Sequence, residues 1–147
     1  MKKIIFVVDD DEVDIMAIKR ALKEMVQENE IALETYNDGE EIICKLKALS
    51  LDGGTDFSSI PFMIFLDLNM PRVSGFEVID HIRKDSNLKS MLVFVLTTSS
   101  NPLDISKAYQ QNVAGYLVKS EQGNRYEKLR DLVQSYCKAV VPPPVSN

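Results

Sequence analysis

Acidic, hydroxyl and ammonium side chains follow four short apolar runs in this chain of 147 residues. Asp9–Asp11 follow the first run and Asp67 follows a later one, while Thr97–Thr98 and Lys119 follow two more. Each group alone has an ordinary explanation, because such aspartates and threonines usually cap helices or form turns and such lysines are usually solvated. Together, they could form an acidic cluster with one hydroxyl and one ammonium.

An acidic cluster of this kind favours a cation. Several crowded carboxylates repel one another, and a bound hard cation removes that cost. Mg²⁺ prefers a few carboxylates and several retained water molecules. A metal ion beside a lysine in turn indicates a phosphoryl ligand, so these residue types predict phosphoryl chemistry if the ends of the four runs meet.

The elements that would position these residues alternate between strand and helix patterns. Ile4–Val8 is a wholly apolar, largely β-branched run and predicts a buried strand. Further strands are predicted at Ile31–Tyr36, Phe62–Leu66, Met91–Leu96 and Ala114–Val118. Helical periodicity predicts helices from Val13 to Val26, from an Asp38 cap to Leu49, and at Gly75–Arg83, Leu103–Gln111 and Asn124–Lys138. This order predicts an α/β fold with a parallel sheet covered on both faces. Ligands of such sheets bind at the carboxyl ends of the strands, where the polar residues lie.

The length fits one domain, which we expect to span residues 1–140. Residues 141–147, rich in proline, are expected to form a flexible tail, and Ser50–Ile60 a loop. A net charge of −5 disfavours nucleic-acid binding. The apolar N-terminal run is too short for a signal peptide or membrane span. Two cysteines cannot form a disulfide framework, so we expect a cytoplasmic protein.

The residues at the strand ends resemble those of response-regulator receiver domains. The segments that carry the resemblance are Val7–Asp10, Phe65–Gly75, Val95–Thr98 and Gly115–Lys119, and it covers about residues 3 to 138. The Leu96–Ser99 run and the Lys119–Ser120 pair are similar to the stand-alone regulators of bacterial phytochrome-type kinases. The resemblance implies a flavodoxin-like (βα)5 doubly wound sheet with strand order 2-1-3-4-5.

The resemblance also implies roles for the matching residues. Asp67 would be the nucleophile and phosphorylation site, and Thr97 and Lys119 would each hold a phosphoryl oxygen. The implied Mg²⁺ ligands are Asp10 and Asp67 directly, Asp9 through a water molecule, and Asn69 through its backbone carbonyl. Tyr116 would be the aromatic switch residue that turns inward on activation.

Three residues near these motifs need separate treatment. Asp11 is left out of the metal set, because a carboxylate there favours the positive end of the first helix. His81, the only histidine, is expected to be a surface residue rather than a phosphodonor. Ser120 stands where most receivers have a cis proline, and a cis non-proline bond costs about 2.5–4 kcal/mol. We therefore expect a different or strained loop after Lys119.

By this resemblance, the protein is a phosphoacceptor switch of a two-component system that catalyses only its own phosphorylation and dephosphorylation. Its expected partners are a histidine kinase or a histidine phosphotransfer protein, and neither nucleic acid nor membrane. We expect no DNA-binding or enzymatic output region after residue 141. Output would then be a contact through a protein surface, with a homodimer as one option, or onward phosphotransfer to a histidine phosphotransfer protein. The expected surface combines the fourth predicted helix, the fifth strand and the fifth helix, with Ile105, Ala108, Tyr109, Tyr126 and Leu129 as candidates.

Two alternatives remain at this point. The first is a metal-dependent hydrolase with an aspartyl nucleophile, which would need a cap or substrate pocket for which the chain leaves little length. The second is a receiver-like binding module with an inactive site. The complete set of Asp10, Asp67, Thr97 and Lys119 argues against that module.

Overall fold

A computed structural model of the chain describes residues 2–51 and 60–143. The strands are β1 (Lys3–Val8), β2 (Ile31–Tyr36), β3 (Met63–Leu66), β4 (Leu92–Thr97) and β5 (Gly115–Val118). The helices are α1 (Glu12–Ala21), α2 (Lys23–Gln27), α3 (Gly39–Leu51), α4 (Gly75–Lys84), α5 (Pro102–Gln110) and α6 (Glu127–Ala139). A 3₁₀ turn, Lys119–Glu121, follows β5.

The strands form one parallel sheet in the order β2-β1-β3-β4-β5, which confirms the predicted fold. Side chains alternate between the two faces along each strand. Phe6 and Val8 pack with α3 and α4 residues on one face, whereas Ile5 and Val7 pack with α1 and α6 residues on the other. Because both faces of the inner strands are buried, their sequences are continuous apolar runs rather than alternating ones.

Several element boundaries differ from the predicted ones. The first predicted helix is interrupted at Leu22, which lies between α1 and α2 and is fully buried. Asp38 accepts a hydrogen bond from the Glu41 amide, as expected of a cap. Helix α3 continues through Ser50 and Leu51, which were predicted as loop. The rest of that loop up to residue 59, and the tail from residue 144, lie outside the described residues.

The start of α6 also differs, because the chain reaches it through two left-handed residues. Gly123 has φ 91° and Tyr126 has φ 56°, so the helix begins at Glu127 instead of Asn124. None of the helices within the described ranges is long and apolar enough to cross a membrane.

Candidate functional site

The carboxyl ends of the inner strands lie side by side and bring the predicted site residues together. Val8, the last residue of β1, pairs with Leu66, the last residue of β3. The Asp67 amide donates to the Val8 carbonyl at 3.0 Å, which fixes the residue that follows β3 beside the end of β1. On the other side of β3, Thr97 at the end of β4 pairs with Val118 of β5, and Val118 directly precedes Lys119. The sheet edge therefore assembles the acidic, hydroxyl and ammonium groups as predicted.

The ammonium of Lys119 lies among three carboxylates. Its Nζ atom is 2.7 Å from Oδ2 of Asp9, 2.8 Å from Oδ2 of Asp14 and 3.3 Å from Oδ2 of Asp67. The Lys119 side chain is only 9% exposed. A charge this far from water needs charged partners nearby, and these carboxylates supply them.

Carboxylate oxygens of Asp9, Asp10 and Asp67 lie within 4.8 Å of one another. Asp9 and Asp67 are buried, whereas Asp10 is exposed. Backbone amides hold the two buried groups, since Asp11 donates to Asp9 at 2.9 Å and Asn69 donates to Asp67 at 3.2 Å. Oxygen ligands with one side open to solvent suit a hard divalent cation that keeps part of its water shell.

The electrostatics of the pocket reflect this crowding. Burial raises the pKa of Asp9 to about 6, with a further contribution from the Asp67 charge, although contact with Lys119 opposes the shift. Burial alone would lower the pKa of Lys119, but hydrogen bonds to Asp14 and Asp9 raise it above its ordinary value. The acidic groups thus hold the ammonium firmly, while the negative charge on Asp9 is only partly compensated.

Thr97 contributes a buried hydroxyl to the site. The residue is fully buried, and its Oγ1 atom has no hydrogen-bond partner among the described residues. Its neighbour Thr98 is exposed. A buried unpaired hydroxyl is costly unless another group, such as a ligand oxygen, completes it.

The backbone after Asp67 turns sharply to reach α4. Gly75 lies so close to it that a Cβ atom at this position would overlap the Asp67 carbonyl oxygen. The Gly75 amide donates to the Leu68 carbonyl at 2.9 Å, which closes the turn. Ser74 and Glu77 form a reciprocal capping box at the start of α4. Glycine is therefore required at position 75 to hold the loop that carries Asp67 and Asn69.

Other predicted residues take the following positions. Asp11 is the N-cap of α1, as its exclusion from the metal set implied. Tyr116 is half-buried, and its hydroxyl donates to the Ser99 carbonyl at 2.9 Å. His81 is less exposed than the predicted surface position implies. It is half-buried with a shielded Nε2 atom, because it lies three residues after Val78 on the edge of the buried face of α4.

The loop after Lys119 takes its own shape. No cis peptide bond occurs in the described parts of the chain, and Ser120 lies in the 3₁₀ turn. Gln122 closes the turn through its buried side chain, whose amide donates to the Val118 carbonyl at 3.1 Å. The expectation of a different loop geometry at this position is confirmed.

Two residues of the site had not been predicted from the sequence. Asp14 projects from the first turn of α1 and accepts hydrogen bonds from both Lys119 and the Tyr126 hydroxyl, the latter at 3.0 Å. A signal for Asp14 existed, because it lies four residues before the buried Ile18 on the same face of α1. Tyr126 had been considered only for a surface role, but it is 8% exposed.

Known proteins resemble this chain along most of its length. The family model described as response regulator receiver domain matches residues 5–131 of this chain. The response regulator Rcp1 of Synechocystis sp. is 31% identical over 144 residues, which cover 98% of this chain and 95% of that protein. The probable methanogenesis regulatory protein FilR2 of Methanothrix harundinacea is 36% identical over 116 residues, 79% of this chain and 71% of the relative.

Solved structures agree with the sequence comparison. The Mn²⁺-bound form of the response regulator Rcp1 has a TM-score of 0.76 and 30% identity, covering 97% of this chain and 99% of that one. The phosphorylated cyanobacterial phytochrome response regulator RcpA has a TM-score of 0.77 and 29% identity, covering 98% and 99%. With the acidic strand ends, the lysine and the sheet order in place, the chain belongs to the response regulator receiver domains of two-component systems.

Proposed function

We propose that the protein is a single-domain response regulator in which Asp67 accepts a phosphoryl group from a histidine kinase. The observation that carries this proposal is the position of the Asp67 carboxylate. It is buried at the end of β3, 3.3 Å from the Lys119 ammonium and within the carboxylate group that includes Asp9 and Asp10. A nucleophilic carboxylate held beside cationic groups is what transfer of an anionic phosphoryl group requires.

The residues present fit a Mg²⁺ ion. Asp10 and Asp67 would bind it directly, Asp9 through a water molecule, and Asn69 through its backbone carbonyl. When bound, Mg²⁺ would reduce the repulsion among the carboxylates and stabilise charge on the phosphoryl oxygens. The relative Rcp1, which has an Mn²⁺-bound form, supports a divalent cation at such a site.

The chain's own groups divide the reaction among them. A carboxylate oxygen of Asp67 attacks phosphorus, the oxygen–phosphorus bond forms, and the phosphorus–nitrogen bond of the donor phosphohistidine breaks with its electrons on the imidazole. Lys119 and the Thr97 hydroxyl stabilise the phosphoryl oxygens throughout. Thr97 would gain in this way a partner for its buried oxygen, which has none among residues 2–51 and 60–143. Loss of the phosphoryl group to water reverses the switch.

The proposed output is a protein contact. The protein would act only on its own phosphorylation state, with a histidine kinase or histidine phosphotransfer protein as donor. The proposed readout surface consists of α5, β5 and α6, and a homodimer could use it. Ala108, Tyr126 and Leu129 are buried and pack the core, so the exposed Tyr109 and Leu103 of α5 are better contact residues. The domain would end near residue 140.

Labelling with a small acyl phosphate tests this function. Incubation with ³²P-labelled acetyl phosphate and Mg²⁺ should label the chain with a single phosphoryl group, and excess EDTA should prevent labelling. Hydroxylamine should remove the label, because it cleaves acyl phosphates but not phosphoserine esters. Failure to label from either acetyl phosphate or a phosphohistidine donor would contradict the proposal, as would a label that resists hydroxylamine.

A further inference from the structure

Asp14 connects the candidate phosphorylation site to the start of α6. One of its carboxylate oxygens, Oδ2, accepts a hydrogen bond from Lys119 at 2.8 Å. The other, Oδ1, accepts one from the Tyr126 hydroxyl at 3.0 Å. The Lys119 side chain is 9% exposed, and Tyr126 as a whole residue is 8% exposed. The three side chains therefore form a largely buried chain of contacts, of which the proposed reaction steps use only Lys119.

The three carboxylates that contact Lys119 have different tasks in the proposed reaction. Asp67 would be phosphorylated to an acyl phosphate, and Asp9 belongs to the carboxylate group that would face the cation. Asp14 is the one carboxylate bonded to Lys119 that has neither task. A buried ammonium needs an anionic partner at every stage, and more so when a divalent cation lies nearby. Asp14 is placed to be that constant partner.

Tyr126 fixes the orientation of Asp14. Its backbone lies in the left-handed region at φ 56°, which is uncommon for an aromatic residue and persists only where surrounding contacts enforce it. Its side chain packs in the core cluster of Ile18 and Leu129, and its hydroxyl reaches Asp14. The aspartate is thus held at both oxygens, one by a rigid aromatic side chain and one by the ammonium.

We propose that Asp14 is a positioning residue for phosphoryl transfer, which keeps the Lys119 ammonium at the site while Asp9 and Asp67 are engaged elsewhere, and that Tyr126 orients it. This inference rests on the proposed function. Without Asp14, Lys119 would face the divalent cation with no uncommitted carboxylate, so both cation binding and the placement of the ammonium would suffer. A purely structural ion pair would instead affect only folding stability.

Asp14→Asn tests the proposal against Glu12→Gln, which removes one negative charge from the same turn of α1 at an exposed residue. Labelling by acetyl phosphate is measured as a function of Mg²⁺ concentration. We expect Asp14→Asn to lower the labelling rate about tenfold or more and to raise the half-saturating Mg²⁺ concentration, as loss of a supporting contact typically does. Tyr126→Phe should change both quantities in the same direction by less. Glu12→Gln should match the wild type.

A double-mutant cycle completes the test, and thermal melts show whether each variant folds. Asp14→Asn and Tyr126→Phe should be non-additive in the labelling rate if they act through one chain of contacts. Labelling of Asp14→Asn equal to that of Glu12→Gln would overturn the proposal, and so would a Tyr126→Phe variant identical to wild type if Asp14→Asn does not fold. An unlabelled wild type would instead overturn the proposed function itself, and this inference with it.

Discussion

The Lys119 ammonium lies 2.7 Å from a carboxylate oxygen of Asp9, although these residues follow strands that are not neighbours in the sheet. Strands β3 and β4 lie between β1 and β5, a span of roughly 14 Å at the usual strand spacing. Only a long side chain that crosses the sheet edge can join the two ends. The Lys119 side chain therefore crosses the sheet edge and brings its charge within 3.3 Å of the Asp67 carboxylate.

Replacing Asp67 by asparagine should abolish labelling by acetyl phosphate, because an amide oxygen cannot form a stable acyl phosphate. The Asn69 amide can still donate to the new side chain, so the fold should be kept. Phosphate incorporation and far-UV circular dichroism measure the two effects. Equal labelling of Asp67→Asn and wild type would move the phosphorylation site to another residue.

Mg²⁺ binding should depend on Asp10 but not on Asp11. Asp10 shares the carboxylate group with Asp9 and Asp67, whereas Asp11 caps α1. We expect Asp10→Asn to weaken Mg²⁺ binding about tenfold or more, because the charge of the ligands sets the affinity for a hard cation. Asp11→Asn is the matched control, since asparagine is an equally good N-cap. Calorimetric titration with MgCl₂ compares the two, and equal affinities would remove Asp10 from the ligand set.

Thr97→Val should stabilise the free protein and weaken the phosphorylated state. Valine replaces a buried hydroxyl that has no partner in the described part of the chain, so we expect a gain of about 1 kcal/mol, or a rise in Tm of about 2–4 °C. The same change removes a hydrogen bond to a charged phosphoryl oxygen. Beryllofluoride, which mimics the phosphoryl group, should therefore bind about tenfold more weakly or worse.

Thr98→Val is the control for this substitution, because Thr98 is the exposed neighbour. Thr98→Val should change neither the affinity for beryllofluoride nor the Tm as much as Thr97→Val does. Amide chemical shifts measure the beryllofluoride binding. A Thr97→Val protein that is less stable than wild type would indicate that Oγ1 has a partner in solution, such as a bound water molecule.

Local patterns predicted the parallel sheet and the polar groups at its strand ends, whereas the strand order came from the resemblance to receiver domains. Apolar runs mark buried strands, and a parallel sheet places their carboxyl ends together whatever the details of packing. The spacing of Asp14 to Ile18 indicates only that Asp14 lies on the buried face of α1. Its contacts with Lys119 and Tyr126 could not be predicted in this way, because they depend on the direction in which α1 faces the site. Tyr126 was harder still, since its left-handed backbone is imposed by tertiary contacts rather than by residue type.

The stability of the metal-free protein should depend on pH through Asp9. Its pKa in the folded chain is about 6, above the ordinary value of 3.8, so the folded chain binds more protons than the unfolded chain between these pH values. The free energy of unfolding therefore falls as the pH rises through this window. Asp9→Asn lacks this loss, so its stability relative to wild type should increase from pH 3.8 to about 6.

The increase should be on the order of 1–3 kcal/mol and level off above pH 6. Urea denaturation in EDTA measures it, with Glu12→Gln as an exposed acidic control. A stability difference that stays constant across this range would show that Asp9 titrates normally. Saturating Mg²⁺ should reduce the dependence, because the cation favours the ionised carboxylate.

Activation should alter the surface formed by α5, β5 and α6. Phosphoryl oxygens would draw Thr97 and Lys119 toward them, and Thr97 leads directly into the segment whose Ser99 carbonyl accepts the Tyr116 hydroxyl. Movement of that segment would release Tyr116, which is half-buried against the core. A switch requires such an element with two arrangements for the new charge to bias.

Beryllofluoride with Mg²⁺ should therefore change amide exchange in α5 and β5 as well as in the acidic pocket, and should alter self-association or partner binding. Tyr109 is 49% exposed and Leu103 is 78% exposed, so both are available for contact. If the surface mediates self-association, the double variant Leu103→Ser, Tyr109→Ser should keep the exchange response but lose the change in sedimentation. Exchange changes confined to the pocket, with an unchanged mass in solution, would exclude this surface as the output, because the bound mimic would then have no route from Thr97 to Tyr116.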